Sequence, residues 1–182
     1  MEIIECVPNF SEGLDLVKIK DITDEIESVN NISLLDVDPG ADTNRTVVTF
    51  VGPPEAVIEA AFLAIKKASE VLDMQLHKGA HARMGATDVC PLVPVSGVTM
   101  EECVLFSKQL AKKVGKELDI PVYLYENSAT LPERVNLANI RSGEYEGMSK
   151  KLKHKDWKPD FGPTELHKTA GVTAIGAREF LI

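Results

Sequence analysis

Apolar positions along this chain switch repeatedly between a two-residue and a 3.6-residue period, and the switches set out an order of elements. Residues 2–8 form a short apolar run closed by Pro8-Asn9 and read as a strand. From Leu14 to Val29, Ile19, Ile22, Ile26 and Val29 recur at helical spacing with charges between them, and Asn30-Asn31 stops the helix. Ile32 to Asp38 and Thr43 to Gly52 read as strands, and the turn at 39–42 suits a hairpin. Pro54 can sit in the first turn of a helix whose stripe is Val57, Ile58, Ala61, Phe62, Ile65, Ala68 and Leu72. Thr87 to Val95 is the next strand. Thr99 with Glu102 makes a capping-box signature for a helix that runs to Leu118, and Val122 to Tyr125 is a further strand.

The order is β-α-β-β-α-β followed by α-β. Its first six elements predict a ferredoxin-like split βαβ arrangement: an α/β (α+β) fold with a mixed, mainly antiparallel sheet and helices packed on one face. Alternation through Leu34-Leu35-Asp36-Val37-Asp38 places both aspartates on one side and Leu35 with Val37 on the other. The strands at 46–51 and 87–95 are apolar on both sides, so the helix-free face should be covered by something, and a cleft carrying carboxylates belongs there. Beyond Ser128 the pattern weakens. Leu131 to Arg141 reads as helical, Tyr145 to Lys155 as a basic polar stretch with Trp157 in a solvated segment, 159–163 as a loop, and Val172 to Ile182 as a final strand.

Composition narrows the class. At 182 residues the chain is read as one domain over 1–182, and 44% apolar residues suffice for a core. A net charge of −8 disfavours nucleic acid and gives no pull toward anionic membrane. No apolar run approaches a spanning helix, and Met1-Glu2-Ile3-Ile4-Glu5 lacks the basic start of a signal peptide. Cys6, Cys90 and Cys103 form no CxxC pair and read as reduced core residues, which fits a cytoplasmic protein.

Candidate chemistry concentrates in residues 77–89. Two of the four histidines, His77 and His81, lie there with Lys78, Arg83 and two glycines. Histidine suits proton transfer near neutral pH. The i, i+4 spacing of the pair imitates a metal site, but Gly79 intervenes and no third ligand is evident, so no metal is assigned.

Several motifs in order along the chain resemble the formiminotransferase family. They are Cys6-Val7-Pro8-Asn9-Phe10-Ser11-Glu12-Gly13, Leu35-Asp36-Val37-Asp38-Pro39-Gly40, Thr43-Asn44-Arg45-Thr46, Phe50-Val51-Gly52-Pro53-Pro54-Glu55 and the 77–89 segment. Tyr123-Leu124-Tyr125-Glu126, Ile140-Arg141-Ser142-Gly143-Glu144-Tyr145-Glu146, Pro159-Asp160-Phe161-Gly162-Pro163 and Gly176-Ala177-Arg178-Glu179-Phe180-Leu181-Ile182 complete the set.

The resemblance implies transfer of a formimino group from N-formimidoyl-L-glutamate to N5 of tetrahydrofolate, in histidine degradation. On its alignment His81 is the acid/base and Asp38 its carboxylate partner, with Asp36 an alternative on the same face. Arg45 and Arg83 are candidates for binding substrate carboxylates, and His77 for a second polar wall. Gly162, Pro163, Thr164, Glu165, Leu166, His167, Lys168, Thr169, Ala170 and Gly171 align with the folate-binding loop. Tetrahydrofolate enters as co-substrate. The family's transferase unit has two subdomains with folate between them, and this chain resembles the N-terminal one alone. It reads as a truncated unit or as a natural half-enzyme, associated with a C-terminal subdomain or as a homodimer. Other readings stay open: a non-catalytic folate-binding or partner-docking half, or transfer from formimidoylglycine or a formyl donor.

Overall fold

The computed structural model describes residues 1–180. Strands β1 (Ile3–Cys6) and β2 (Asn9–Phe10) are two parts of one line, interrupted at Val7-Pro8, and both pair with the same neighbours. They are followed by α1 (Leu16–Glu27), β3 (Ser33–Gly40), β4 (Arg45–Gly52) and α2 (Pro54–Val71). Next come β5 (Thr87–Ser96), α3 (Met100–Leu118), β6 (Val122–Leu124), α4 (Leu137–Arg141), α5 (Glu144–Lys151) and β7 (Thr173–Ala177). Across the sheet the order is β3, β4, the β1/β2 line, β5, β7, β6. The first four lines are antiparallel, as the split βαβ pattern requires; β7 and β6 extend the sheet in parallel with β5.

Helices α1, α2 and α3 bury one sheet face. Ile22 and Ile26 of α1, the Val57–Ala68 stripe of α2 and Cys103, Leu110 and Val114 of α3 meet Ile4, Cys6, Val48, Phe50, Cys90 and Leu92. Local chemistry fixes where these helices start. Asp15 accepts from the Val17 and Lys18 amides, and Thr99 and Glu102 form the reciprocal capping box.

The expectation of helices on one face is incomplete. On the opposite face a second apolar cluster joins Val89, Tyr123 and Ala174 of the sheet to Ile140 of α4 and Met148 of α5. This roof covers only the β5–β7–β6 half. It explains why β5 is buried on both sides from Thr87 to Val93 and does not alternate. The β3–β4 half keeps the exposed Asp36 and Asp38 on its open side.

Three details depart from the sequence pattern. In β3 the register shifts between Leu34 and Asp36, so Leu34 and Val37 pack against the core while Leu35 is 59% exposed. The stretch 131–141 is a 3₁₀ turn at Pro132–Arg134 and then α4, restarted by the Asn136 cap on the Ala138 amide. Trp157 follows an exposed stretch at 153–156 but is itself half-buried: its ring meets Tyr123 edge-on at 5.9 Å, with Lys151 and Arg134 over its face. The final strand ends at Ala177, and residues 181–182 of the expected strand lie outside the described residues. Among the described residues no helix is long and apolar enough to cross a membrane.

Candidate active site

The strand registers place Asp38, Val47, Asn9, Val89, Ala174 and Tyr123 in one row across the sheet. The roof covers the end at Val89, Ala174 and Tyr123, and the end at Asp38, Val47 and Asn9 is open. The segment joining α2 to β5, which carries His77 and His81, is held at the turn end of the open half. The Ala80 amide donates to the Asp42 carbonyl at 3.1 Å, and the Asn44 side chain donates to the Lys78 carbonyl at 2.9 Å. Gly79 permits this approach, because a Cβ there would lie 2.3 Å from the Thr43 carbonyl oxygen.

His81 is half-buried, and its Nδ1 lies 2.6 Å from the Ala82 carbonyl oxygen. A carbonyl can only accept, so Nδ1 carries the proton and Nε2 presents a lone pair. Nε2 makes no hydrogen bond among the described residues. No hydrogen bond or ion pair joins His81 to Asp38 or Asp36, whose side chains stand exposed on the open sheet. The expected pairing of imidazole and carboxylate is replaced here by the backbone contact.

His77 differs. Its Nε2 donates to the Asn44 carbonyl at 2.8 Å, and its Nδ1 accepts from Arg83 Nε at 3.3 Å. Both nitrogens are engaged in holding the segment to the hairpin.

Arg83 binds carboxylates of this chain. Its amino groups reach Glu146 at 2.6 and 2.9 Å and Glu144 at 3.2 Å, and one also donates to the His77 carbonyl at 3.2 Å. With Nε on His77, its five N–H donors are all occupied. The guanidinium hydrogen-bonded to Glu146 holds that carboxyl down at about 2.

Arg45 has different surroundings. Its Nε donates to the Asn9 side chain at 3.1 Å and one amino group to Asp88 at 2.9 Å. Asp88 is wholly buried; it also accepts from Arg141 at 2.6 Å and from the Met84 amide at 2.7 Å. Burial is the main cause that draws the Arg45 guanidinium below its ordinary value, and the Asp88 charge opposes it.

The segment 162–171 lies against the other side of the His81 segment. The Ala86 amide donates to the Ala170 carbonyl at 2.8 Å, and Gly85 bridges Gly171. Gly171 has φ +68°, and a Cβ there would sit 2.2 Å from the Met84 carbonyl oxygen. Tyr145 Oη donates to the Lys168 carbonyl at 2.7 Å, and Thr169 to the Ser69 carbonyl at 2.9 Å. His167 accepts the Ala170 amide on Nδ1 at 3.0 Å, and burial pulls its pKa below the ordinary imidazole range. Thr164, Glu165 and Lys168 are exposed, Gly162 and Pro163 form the entry turn, and Leu166 packs under the roof.

These contacts tie the segment that carries His81 to the 42–44 turn before Arg45 on one side and to the 162–171 segment on the other. The sequence model of the formiminotransferase domain, N-terminal subdomain, matches residues 3–178. The chain belongs to this family.

Over 181 residues it is 51% identical to a protein of Streptococcus pyogenes serotype M1 named glutamate formimidoyltransferase, covering 100% of this chain and 60% of that one. A protein of Thermoplasma acidophilum with the same name is 48% identical over 184 residues, with the same coverages. A formimidoyltransferase-cyclodeaminase of Rattus norvegicus is 51% identical over 181 residues, covering 100% of this chain and 34% of that one. The chain therefore spans less than two thirds of the length of these relatives.

Within this family framework, motif reading left Asp88, Arg141 and the Glu144/Glu146 pair without roles. Arg141 is 53 residues from Asp88 in sequence, and Arg83 is 63 from Glu146, so local spacing carries no trace of either contact. The one available signal was the Arg141–Glu146 motif itself, which packs a cation and two carboxylates around Gly143.

Proposed function

We propose that this chain carries the proton-transfer centre of an enzyme that moves the formimino group of N-formimidoyl-L-glutamate to N5 of tetrahydrofolate, in histidine degradation. The observation that carries the proposal is His81, with Nδ1 committed to the Ala82 carbonyl and Nε2 open, on a segment tied to both the Arg45 hairpin and the 162–171 loop.

The chemistry needs one proton moved between two nitrogens. As the folate nitrogen bonds to the amidinium carbon, Nε2 of His81 accepts the proton that nitrogen loses. The bond from that carbon to the glutamate nitrogen then breaks, and the imidazolium returns the proton to the departing amine. The Ala82 carbonyl fixes the tautomer throughout and stabilises the transient imidazolium. Asp38, exposed on the adjoining strand, supplies negative charge on the same side, and Asp36 lies two residues away on that face.

Tetrahydrofolate supplies the nucleophilic nitrogen. In this proposal Gly162 to Gly171 lie along the folate, with Lys168 as the exposed cation for its carboxylate tail. His77 and Arg83 then act as positioning residues, because their donors and acceptors are already used within the chain. The open β3–β4 half of the sheet is the surface for the rest of the transferase unit, a C-terminal subdomain or a second copy.

The test is a transfer assay with tetrahydrofolate and formimidoylglutamate, acidified and read as methenyl-folate absorbance. Glycine and formyl analogues of the donor run alongside. Turnover with formimidoylglutamate alone supports the proposal. Turnover only with another donor would reassign the substrate, and folate binding without turnover would leave a binding half.

A further inference from the structure

Four buried or nearly buried arginines show two kinds of environment. Arg83 has every N–H occupied. Arg134, 4% exposed, lies between the rings of Tyr123 and Trp157. It spends its amino groups on Asp160 at 3.1 Å and on the Asp156 and Lys158 carbonyls at 3.2 and 2.8 Å. Both are structural cations bonded through their amino groups, although Arg134 Nε is buried without a hydrogen-bond partner among the described residues.

Arg45 and Arg141 differ in sharing a single carboxylate. Their side chains are 10% and 14% exposed, and they share Asp88. Each arginine offers five N–H groups, yet among the described residues the pair makes three side-chain hydrogen bonds: to Asn9 once and to Asp88 twice. Arg141 Nε is fully buried with no hydrogen-bond partner among the described residues. One carboxylate faces two guanidinium groups, which leaves an excess positive charge in a poorly solvated place. An unbalanced, under-bonded cation pair of this kind is costly unless an anion completes it.

The pair is also held still. Asn136 caps the start of α4, and Lys151 Nζ donates to the Asn139, Ile140 and Ser142 carbonyls at its end, at 2.7, 2.7 and 3.1 Å. Asp88 fixes both guanidinium groups and the Met84 amide, three residues beyond His81. The backbone between His81 and Met84 spans at most about 11 Å when fully extended. The 162–171 loop meets the same segment at Gly85 and Ala86, on from Met84.

We infer that Arg45 and Arg141, bridged by Asp88, form a clamp for a carboxylate of the formimino donor's glutamate part. The inference rests on the transfer reading above and assigns Arg141, to which motif reading gave no role. Planar forks suit a carboxylate better than lysine does, and the donor carries two.

The test is calorimetric titration of the 182-residue chain with N-formimidoyl-L-glutamate and, separately, with tetrahydrofolate. Parent protein is compared with Arg141→Gln and Arg141→Lys. Thermal unfolding checks each fold, and the lysine variant keeps a cation against Asp88. The expected result is a loss of about 10- to 100-fold in donor affinity for Arg141→Gln, partial recovery for Arg141→Lys, and unchanged folate affinity.

Unchanged donor affinity would overturn the clamp, as would a parent that binds no donor. A loss confined to folate would give the carboxylate to the folate tail and overturn the donor assignment. A chain that binds donor through Arg141 yet never transfers the group would sink the transfer reading and leave the clamp standing.

Discussion

Arg83 and Arg45 carry the same expectation from sequence, a guanidinium waiting for a carboxylate, and their contacts separate them. Arg83 is saturated by Glu144, Glu146 and His77, so its loss is felt first by the fold. Arg83→Met should destabilise the chain by about 1–3 kcal/mol in denaturant unfolding, the scale of charged hydrogen bonds lost from a site whose carboxylates can turn to water. The Glu146 carboxyl, held at about 2 by that arginine, gives a pH signature. Its folded value lies below the unfolded one of about 4.3. Its contribution is therefore complete above that range and fades as pH falls through the folded value. Glu146→Gln should remove part of the acid sensitivity of the unfolding midpoint in that window, and an unchanged acid profile would contradict the ion pair.

At the scale of elements, the site depends on one segment fitted between a hairpin turn and a loop. A Cβ at residue 79 would lie 2.3 Å from the Thr43 carbonyl oxygen and 3.0 Å from Asn44 Cβ. Gly79→Ala should therefore lift the His81 segment and reduce turnover, with a smaller effect on the midpoint than on activity; wild-type turnover would contradict the seating. Asp88 ties β5 to β4 and α4 at once. Asp88→Asn should cost about 3–5 kcal/mol, because it leaves two arginines without their shared counterion; a midpoint equal to the parent's would show that solvent already screens them. The split βαβ order was legible because its helices carry clear apolar stripes and its strands are short apolar runs bounded by turn residues. The bulge at Leu35 was not, since a period-two pattern does not reveal an extra residue in one strand. Nor was the roof. Helix α4 has five residues and α5 eight, too short for a clear stripe, and both are held by tertiary contacts such as Lys151 on the α4 carbonyls. His81, Arg45 and the 162–171 loop were singled out through motif resemblance. Asp88 and Arg141 needed the sheet and roof to meet.

For the whole molecule, an asymmetry joins fold to function. One sheet face is fully packed by α1, α2 and α3, while the other is half roofed and half open. The edge between these halves is where Asn9, Arg45, Asp88 and Arg141 converge. The open half leads to Asp38, and a groove of about 300 Å³ lies beside it between Glu5, Val7, Thr49 and Val93, bordered by Arg178 and Phe180. Under the proposed function, His81 at this edge meets a small donor from the open side and a larger co-substrate along the loop. The most direct measurement is transfer by the 182-residue chain itself, with tetrahydrofolate and formimidoylglutamate, for parent and His81→Ala protein of equal thermal stability. The account predicts turnover in the parent and a loss of about 10²- to 10⁴-fold in the variant. No turnover in the parent, or a His81→Ala protein as active as the parent, would contradict it.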